Sequence, residues 1–195
     1  MLGSAAVTIW CDVAAEVRDE FEDWHSREHM PERLAIPGFL RGTRWRSEPP
    51  GAFFILYELD RPETLAGAAY LARLNDPTPW SRKMMPHHRN MVRSLCRIRE
   101  SYGAALPQTM ATLRFSNGSS LAGLPRRDGV TCAALLQSQP MSGAPTTEQR
   151  IRGGDATADW VVLLGGDDVR QAARQVDLPG ATLGFYRLAY SLGGA

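Results

Sequence analysis

The chain has 195 residues, of which 44% are hydrophobic and 22% are charged, and its formal net charge is +1. This length suits two units of roughly 90–100 residues, and the apolar fraction is large enough for a buried core. The near-neutral charge gives no electrostatic argument for nucleic acid or an acidic membrane surface as a partner. We therefore expect a small-molecule ligand.

The cysteines and the N-terminal residues predict a cytoplasmic protein. Cys11, Cys96 and Cys132 are odd in number, widely spaced and without a CxxC pair, which indicates neither a disulfide framework nor a cysteine zinc site. Residues 1–13 lack a basic region and soon become acidic, so they predict a strand instead of a signal peptide. No apolar run reaches the length of a membrane-spanning helix.

The first half predicts the element order β-α-β-β-α-β of a ferredoxin-like unit. Its first helix is predicted from the apolar stripe of Val17, Phe21 and Trp24, and we expect Pro31 to end it. Residues 80–88 predict an irregular or short helical segment. Strands are predicted at residues 5–12, 39–47, 52–59 and 91–101, and helices at residues 13–28 and 62–74.

The second half predicts a similar order with losses. Residues 116–129 are too rich in Gly, Ser and Pro for a helix like the first, and residues 139–157 predict a long loop. Strands are predicted at residues 110–116, 130–137, 159–164 and 182–191, and a helix at residues 167–176.

These patterns predict an α+β fold in which two ferredoxin-like repeats pack sheet against sheet as an intramolecular α+β barrel. Residues 1–104 would form the repeat that holds a polar site, and residues 105–195 a degenerate repeat. All four histidines lie in the first half. Because the barrel would be complete within one chain, both a monomer and a homodimer are compatible with it.

Two segments, WHSREHMPERLAIPGF and PTPWSRKMMPHHRNMVRSLCRIRES, resemble the EthD-like branch of the dimeric α+β barrel superfamily. The resemblance covers roughly the first hundred residues well. It implies the fold more than the chemistry, because the superfamily includes cofactor-free monooxygenases, lactone isomerases, polyketide cyclases and haem enzymes. The residues that match the branch's aromatic, acidic-His-x-Pro and Pro-Gly pattern are Trp24, Glu28, His29, Pro31, Pro37 and Gly38.

Glu28 and His29 are the candidate acid-base pair. Glu28 returns to the apolar stripe of the helix, where burial would raise the pKa of its carboxyl group, although an ion pair with an arginine of residues 41–46 is an alternative. His29 is expected at the mouth of the barrel, where it would transfer a proton or instead cap the helix. The candidate substrate-binding residues are Trp24, His25, Arg44, Tyr57 and Trp80.

Two metal hypotheses compete with this site. The letters HSREH match the H-x-x-E-H pattern of a family of zinc peptidases, but Pro31 would truncate the helix that such a site needs. The pair His87-His88 follows two methionines and could ligate haem, although adjacent histidines before a strand are more often surface or capping groups. We therefore expect no cofactor.

The sequence thus predicts a barrel protein that binds or converts a small apolar or aromatic metabolite by cofactor-free acid-base chemistry. A non-catalytic binding or accessory protein, in which the polar residues form a structural Glu-Arg-His network, is the first alternative. A metal-dependent or haem-dependent enzyme is the second. The sequence does not determine whether the protein is an enzyme.

Overall fold

Eight antiparallel strands form a closed barrel in the computed structural model, which describes residues 1–103, 105–116, 124, 126–140 and 144–193. The strands are β1 (Ala5–Val13), β2 (Phe39–Ser47), β3 (Ala52–Leu59), β4 (His88–Tyr102), β5 (Thr109–Phe115), β6 (Val130–Gln139), β7 (Trp160–Gly166) and β8 (Thr182–Gly193). Their order around the barrel is β1-β3-β2-β8-β5-β7-β6-β4. The α+β class predicted from the sequence is confirmed.

Most helices lie in the first half of the chain. The α-helices are α1 (Arg18–Trp24), α2 (Met30–Leu34), α3 (Ala68–Asn75), α4 (Pro79–Met84), α5 (Thr147–Arg152) and α6 (Val169–Arg174). Short 3-10 turns cover Ala15–Val17, Pro62–Ala66 and Met85–His87. Among the described residues, no helix is long and apolar enough to cross a membrane.

The expectation that Pro31 ends the first helix is wrong. Residues His25–His29 form a π-helical turn that joins α1 to α2, and the helical path continues through Pro31 to Leu34. The amide of Met30 bonds to the carbonyl of His25, five residues back. Proline lacks an amide hydrogen and crowds the carbonyl four residues before it, and the wider turn accommodates both effects.

The barrel has two apolar layers because successive residues of each strand face opposite sides. On β1, Val7 and Cys11 face outward into the core beneath α1 to α4, whereas Ala6 and Trp10 face the barrel interior. The interior is filled by large side chains, which include the stacked rings of Trp10 and Phe54, 5.0 Å apart. The space between the first-half helices and the outer sheet face is therefore where a polar site can form.

Gly42 lets the helical layer approach β2 closely. A Cβ atom at this position would lie 2.9 Å from Sδ of Met30 and 3.0 Å from the ring of Tyr57. Such contacts are closer than side chains tolerate. Because glycine has no side chain, α2 can pack directly on the sheet. The residues that follow α1 are thereby held against Tyr57.

Both halves contribute four adjacent strands in the same relative order, β4-β1-β3-β2 and β8-β5-β7-β6. The pairs β2–β8 and β4–β6 join the halves into one barrel. In the second half, however, α5 lies between β6 and β7, and most of the segment 116–129 lies outside the described residues. Two complete ferredoxin-like repeats are therefore not shown, and the division at residue 104 stays a prediction.

The expected loop at residues 139–157 is partly wrong, because it contains α5. This helix begins with a capping box in which Thr146 and Gln149 bond each other's backbone amides. It packs near the turn Met85–His87 and α3, and it brings a buried glutamate, Glu148, toward the first half of the chain. Such reciprocal capping stabilises a helix too short to form alone.

Candidate functional site

Three histidines surround two aromatic rings in the layer between the helices and the outer face of the sheet. His29 lies against Trp24 with 4.5 Å between ring centroids, and His25 lies 5.6 Å from His29. His88, the first residue of β4, meets the edge of Phe21 at 5.3 Å. His29 is therefore not at the mouth of the barrel, as the sequence suggested, but on the helical side of the sheet.

His25 has both ring nitrogens engaged within the protein. Nη1 of Arg44 lies 3.3 Å from Nδ1, and the hydroxyl of Tyr57 lies 3.3 Å from Nε2. Because arginine only donates, we infer that Nδ1 accepts and that Nε2 carries the hydrogen and donates to Tyr57. Burial, together with the positive charge of Arg44, holds the pKa of His25 well below its usual value.

Arg44 is a buried cation whose hydrogen-bond acceptors lie on α1 and the π-helical turn, and its guanidinium group also lies over the ring of Tyr190 on β8 at 5.6 Å. It donates to the backbone carbonyl of Glu22 at 3.0 Å, to the Ser26 hydroxyl at 2.9 Å and to the Glu22 carboxylate at 3.0 Å. The same carboxylate accepts from Arg46 at 2.6 Å. Arg44 therefore ties β2 to the helix and orients His25.

Glu28 has neutral partners, so the expected ion pair with an arginine of β2 is wrong. Its Oε1 accepts hydrogen bonds from Nε1 of Trp24 at 3.1 Å, from the Thr78 hydroxyl at 2.5 Å and from the Ser81 hydroxyl at 3.2 Å. Thr78 is also the N-cap of α4. Glu28 thus joins the first helix to α4, and a catalytic role for its carboxylate stays a prediction.

His29 borders a small cavity of about 30 Å³, which we call the inner cavity. The residue is partly exposed, but its Nδ1 atom is buried and lacks a hydrogen-bond partner among the described residues. Burial, followed by the charge of Arg33, holds the pKa of His29 well below its usual value. The imidazole is therefore neutral near pH 7.

The rest of the cavity wall was not identified from the sequence. Arg33 of α2 pairs with Glu148 of α5, 115 residues away in the chain. Arg152 contacts Glu148 at 3.6 Å and Asp155 at 2.9 Å. Glu148 and Arg152 lie one helical turn apart on α5. This spacing is typical of an ion pair on a helix, but the sequence predicted a loop in this segment, so the pair was not predicted.

Tyrosines complete the wall. The hydroxyl of Tyr70, on α3, accepts a hydrogen bond from Arg93 of β4, and Tyr57 faces the cavity from β3. Burial raises the pKa of Tyr57, so its hydroxyl keeps its proton. Several hydrogen-bond donors thus surround this cavity. They belong to His29, Tyr57, Tyr70 and the arginines.

Beside β4 and β6 lie two clefts that are larger than this cavity and share residues with its wall. One, of about 360 Å³, shares Tyr70 and Leu74 with the cavity wall, and the other, of about 790 Å³, shares Arg93 with it. Both clefts are also lined by Leu95 and Gln149. An aromatic molecule fits a cleft of this size, whereas the inner cavity has room only for a few atoms.

Trp80 and His88 lie away from the inner cavity. Nε1 of Trp80 donates to Glu20 at 3.2 Å on the surface of α1. His88 donates from Nδ1 to the carbonyl of Met85 at 2.9 Å, and burial lowers its pKa to about 4. Within the described part of the chain, no group of three or more His, Cys, Asp or Glu side chains is arranged to hold a metal ion.

Comparison with known proteins supports the fold alone. No protein-family model matches the chain, and no curated protein matches it. A solved anthrone oxidase-like protein is similar over 97% of this chain and 93% of its own, with 10% identity and a TM-score of 0.60.

Two further solved structures, each described as a candidate monooxygenase, have a similar fold. The protein from Fusobacterium nucleatum has 7% identity and a TM-score of 0.53, over 99% of this chain and 96% of its own. The protein from Lactobacillus acidophilus has 8% identity and a TM-score of 0.53, over 97% and 96%. At these identities, the similarity shows that the chain shares the fold of these proteins.

Proposed function

We propose that this chain is an EthD-like α+β barrel protein that binds a small apolar or aromatic metabolite and converts it by cofactor-free acid-base chemistry. The observation that carries the proposal is the buried, unpartnered Nδ1 of His29 beside a polar cavity. A neutral imidazole with an available nitrogen can accept a proton from a substrate carbon or hydroxyl. Tyr57 and Tyr70 are then the groups that orient a substrate oxygen.

The sizes of the cavities suggest where the substrate lies. An aromatic ring system exceeds the inner cavity of about 30 Å³ but fits the cleft of about 360 Å³. Tyr70 and Leu74 belong to both walls, so we place the rings in the cleft with the reacting carbon between these two side chains, facing the cavity that His29 borders. The ring of Trp24 packs against that of His29 at an interplanar angle of 34° and limits its orientation.

An enolisable aromatic ketone is the substrate class that we propose. One structural neighbour is described as anthrone oxidase-like. In such a reaction, His29 would remove a proton from the methylene carbon, and the resulting carbanion would react with dioxygen. The methylene group becomes a carbonyl, and one oxygen atom leaves as water, so the overall equation is balanced without a further reductant.

The test compares oxygen uptake and quinone absorbance when anthrone is added to the wild-type protein and to two variants. We expect His29→Gln to lower the rate at least about 100-fold, because general base catalysis contributes that much. The matched control His87→Gln should leave the rate unchanged, since His87 lines none of these cavities. Equal rates for wild type and His29→Gln would overturn the assignment of the base.

A non-catalytic binding protein is the alternative, and the internal bonding of several polar residues favours it. Glu28, His25 and Arg44 all have hydrogen-bond partners within the protein. In this case, aromatic ketones would raise the melting temperature without turnover. His29→Gln would then lower the free energy of unfolding by about 1–3 kcal/mol and change nothing else.

We also propose that the chain arose as a tandem fusion of two ferredoxin-like units, of which the second has degenerated. The identical relative strand order of the two halves supports it. Because all the polar groups of the inner cavity except those of α5 come from the first half, one site per barrel is expected.

A further inference from the structure

The inner cavity is surrounded by donors that lack acceptors. Arg33 is 4% exposed and gives Nη2 to Glu148, whereas its Nη1 has no partner among the described residues. Arg152 also pairs with acidic side chains, but its Nε is buried and has no partner in the part of the chain that the structure describes. A buried guanidinium N–H without an acceptor destabilises a fold, so these atoms require one.

Neighbouring groups can also donate hydrogen bonds into the inner cavity. The Tyr70 hydroxyl accepts from Arg93 and therefore keeps its own hydrogen available to donate. The His29 ring can present either tautomer, so its unpartnered Nδ1 can also carry the hydrogen. A ligand that only accepts hydrogen bonds satisfies all of these groups, and a cation satisfies none.

The charges agree with the hydrogen bonding. Among the described residues, the carboxylate that lines the cavity is Glu148, and it already pairs with two arginines of the same wall, Arg33 and Arg152. Asp155 lies outside the lining; it pairs with Arg152 through Oδ2, and its Oδ1 has no partner among the described residues.

We propose that this cavity binds a small monovalent anion, with Nη1 of Arg33 and Nε of Arg152 as nitrogen donors. A cavity needs about 10–15 Å³ to admit one water molecule, so about 30 Å³ admits a carboxylate group or an inorganic anion of similar size. Guanidinium groups form strong, charge-assisted hydrogen bonds to such anions.

The anion has two sources with the same chemistry. It is either a free ion or the carboxylate end of a larger molecule whose rings lie in the adjoining cleft, which Tyr70 and Leu74 also line. The second source rests on the proposed function and specifies its substrate class further, as an aromatic ketone that also carries a carboxylate group. The first does not depend on it.

The test is isothermal titration calorimetry of the full chain with sodium formate and with sodium benzoate at constant ionic strength. We expect saturable binding of one anion per chain. Arg33→Lys keeps the charge opposite Glu148 but loses the second nitrogen donor, so it should weaken binding at least about tenfold. Arg41→Lys is the matched control, because Arg41 forms another buried pair, with Glu58, away from this cavity.

The two probes separate the sources. Benzoate that binds more tightly than formate assigns the site to the end of an aromatic acid, whereas formate binding alone assigns it to a free ion. No binding of either probe, or equal affinities in wild type and Arg33→Lys, would overturn the proposal. Circular dichroism verifies folding, and Arg152→Lys replaces Arg33→Lys if the latter unfolds.

Calorimetry requires no turnover, so the two proposals fail separately. A protein that oxidises anthrone through His29 but binds neither probe contradicts the anion site alone. A protein that binds formate but shows no effect of His29→Gln on turnover contradicts the catalytic assignment alone.

Discussion

Arg44 donates a hydrogen bond to Nδ1 of His25, with 3.3 Å between the two nitrogen atoms. This contact joins β2, the first-half strand that pairs with β8, to the π-helical turn. It also determines which nitrogen of His25 faces Tyr57. One buried cation thus holds the helix on the sheet and selects the tautomer of a histidine beside the candidate site.

Replacing Arg44 should destabilise the protein more than replacing its neighbour Arg46. Arg44→Met leaves Glu22 with one cation and leaves His25 without its donor, so we expect the free energy of unfolding to fall by about 2–4 kcal/mol. The Arg46 side chain is 58% exposed, and Arg46→Met should cost less than about 1 kcal/mol. Urea denaturation measures both, and equal losses would contradict a special role for Arg44.

Stability should decrease as the pH falls below about 6.5, because burial lowers the pKa of His88 to about 4. In the unfolded chain, His88 takes up a proton near its usual pKa of about 6.5, whereas in the folded chain it stays neutral down to about pH 4. The contribution of His88 to stability is therefore complete above about pH 6.5 and is lost progressively between about pH 6.5 and pH 4. The pKa values of His25 and His29 are shifted in the same direction.

For His88 alone, we expect a loss of up to about 2 kcal/mol between about pH 7.5 and pH 5. Urea unfolding at the two pH values measures it. His88→Gln should flatten the pH dependence by this amount, and His87→Gln should leave it as in the wild type. An unchanged slope in His88→Gln would show that this histidine does not contribute.

Two substitutions of Glu28 separate its structural role from a catalytic one. Glu28→Gln keeps an acceptor oxygen for Trp24, Thr78 and Ser81, so it should cost less than about 1 kcal/mol, whereas Glu28→Ala should cost about 1–3 kcal/mol.

If Glu28 also transfers a proton, Glu28→Gln should remove turnover of anthrone while the protein stays folded. Thermal denaturation and oxygen uptake are measured together for both variants. Glu16→Ala, an exposed change near the start of the same helical path, is the control and should be neutral within about 0.5 kcal/mol. Full activity of Glu28→Gln would assign the residue to structure alone.

Most strands could be predicted from the sequence because each carries its own local signal. The run 52–59 is apolar, the run 39–47 contains strand-forming residues such as Phe39, Thr43 and Trp45, and the two runs form β3 and β2 with the predicted bounds. The start of β4 was missed by three residues, which placed His88 outside a strand although it opens one. The resemblance to the α+β barrel superfamily agrees with the observed barrel at the level of the fold.

The structure places some of the candidate residues next to one another and others apart. Five of them lie in one layer, because the first helix and β3 form where the sequence predicts them. These residues are Trp24, His25, His29, Arg44 and Tyr57. Trp80 lies apart from them and bonds to Glu20. Glu28 faces α4 because the π-helical turn shifts the helical register, and propensity within one segment does not predict such a turn.

The sequence by itself determined the strand pattern, the α+β class and the histidine-rich segment, since these depend on the period and composition of neighbouring residues. Only the tertiary structure decided where the polar cavity lies. Its principal ion pair, Arg33 with Glu148, joins residues 115 positions apart. The attraction between two buried charges depends on their distance in space and not on local periodicity, so no pattern within either segment could have paired them.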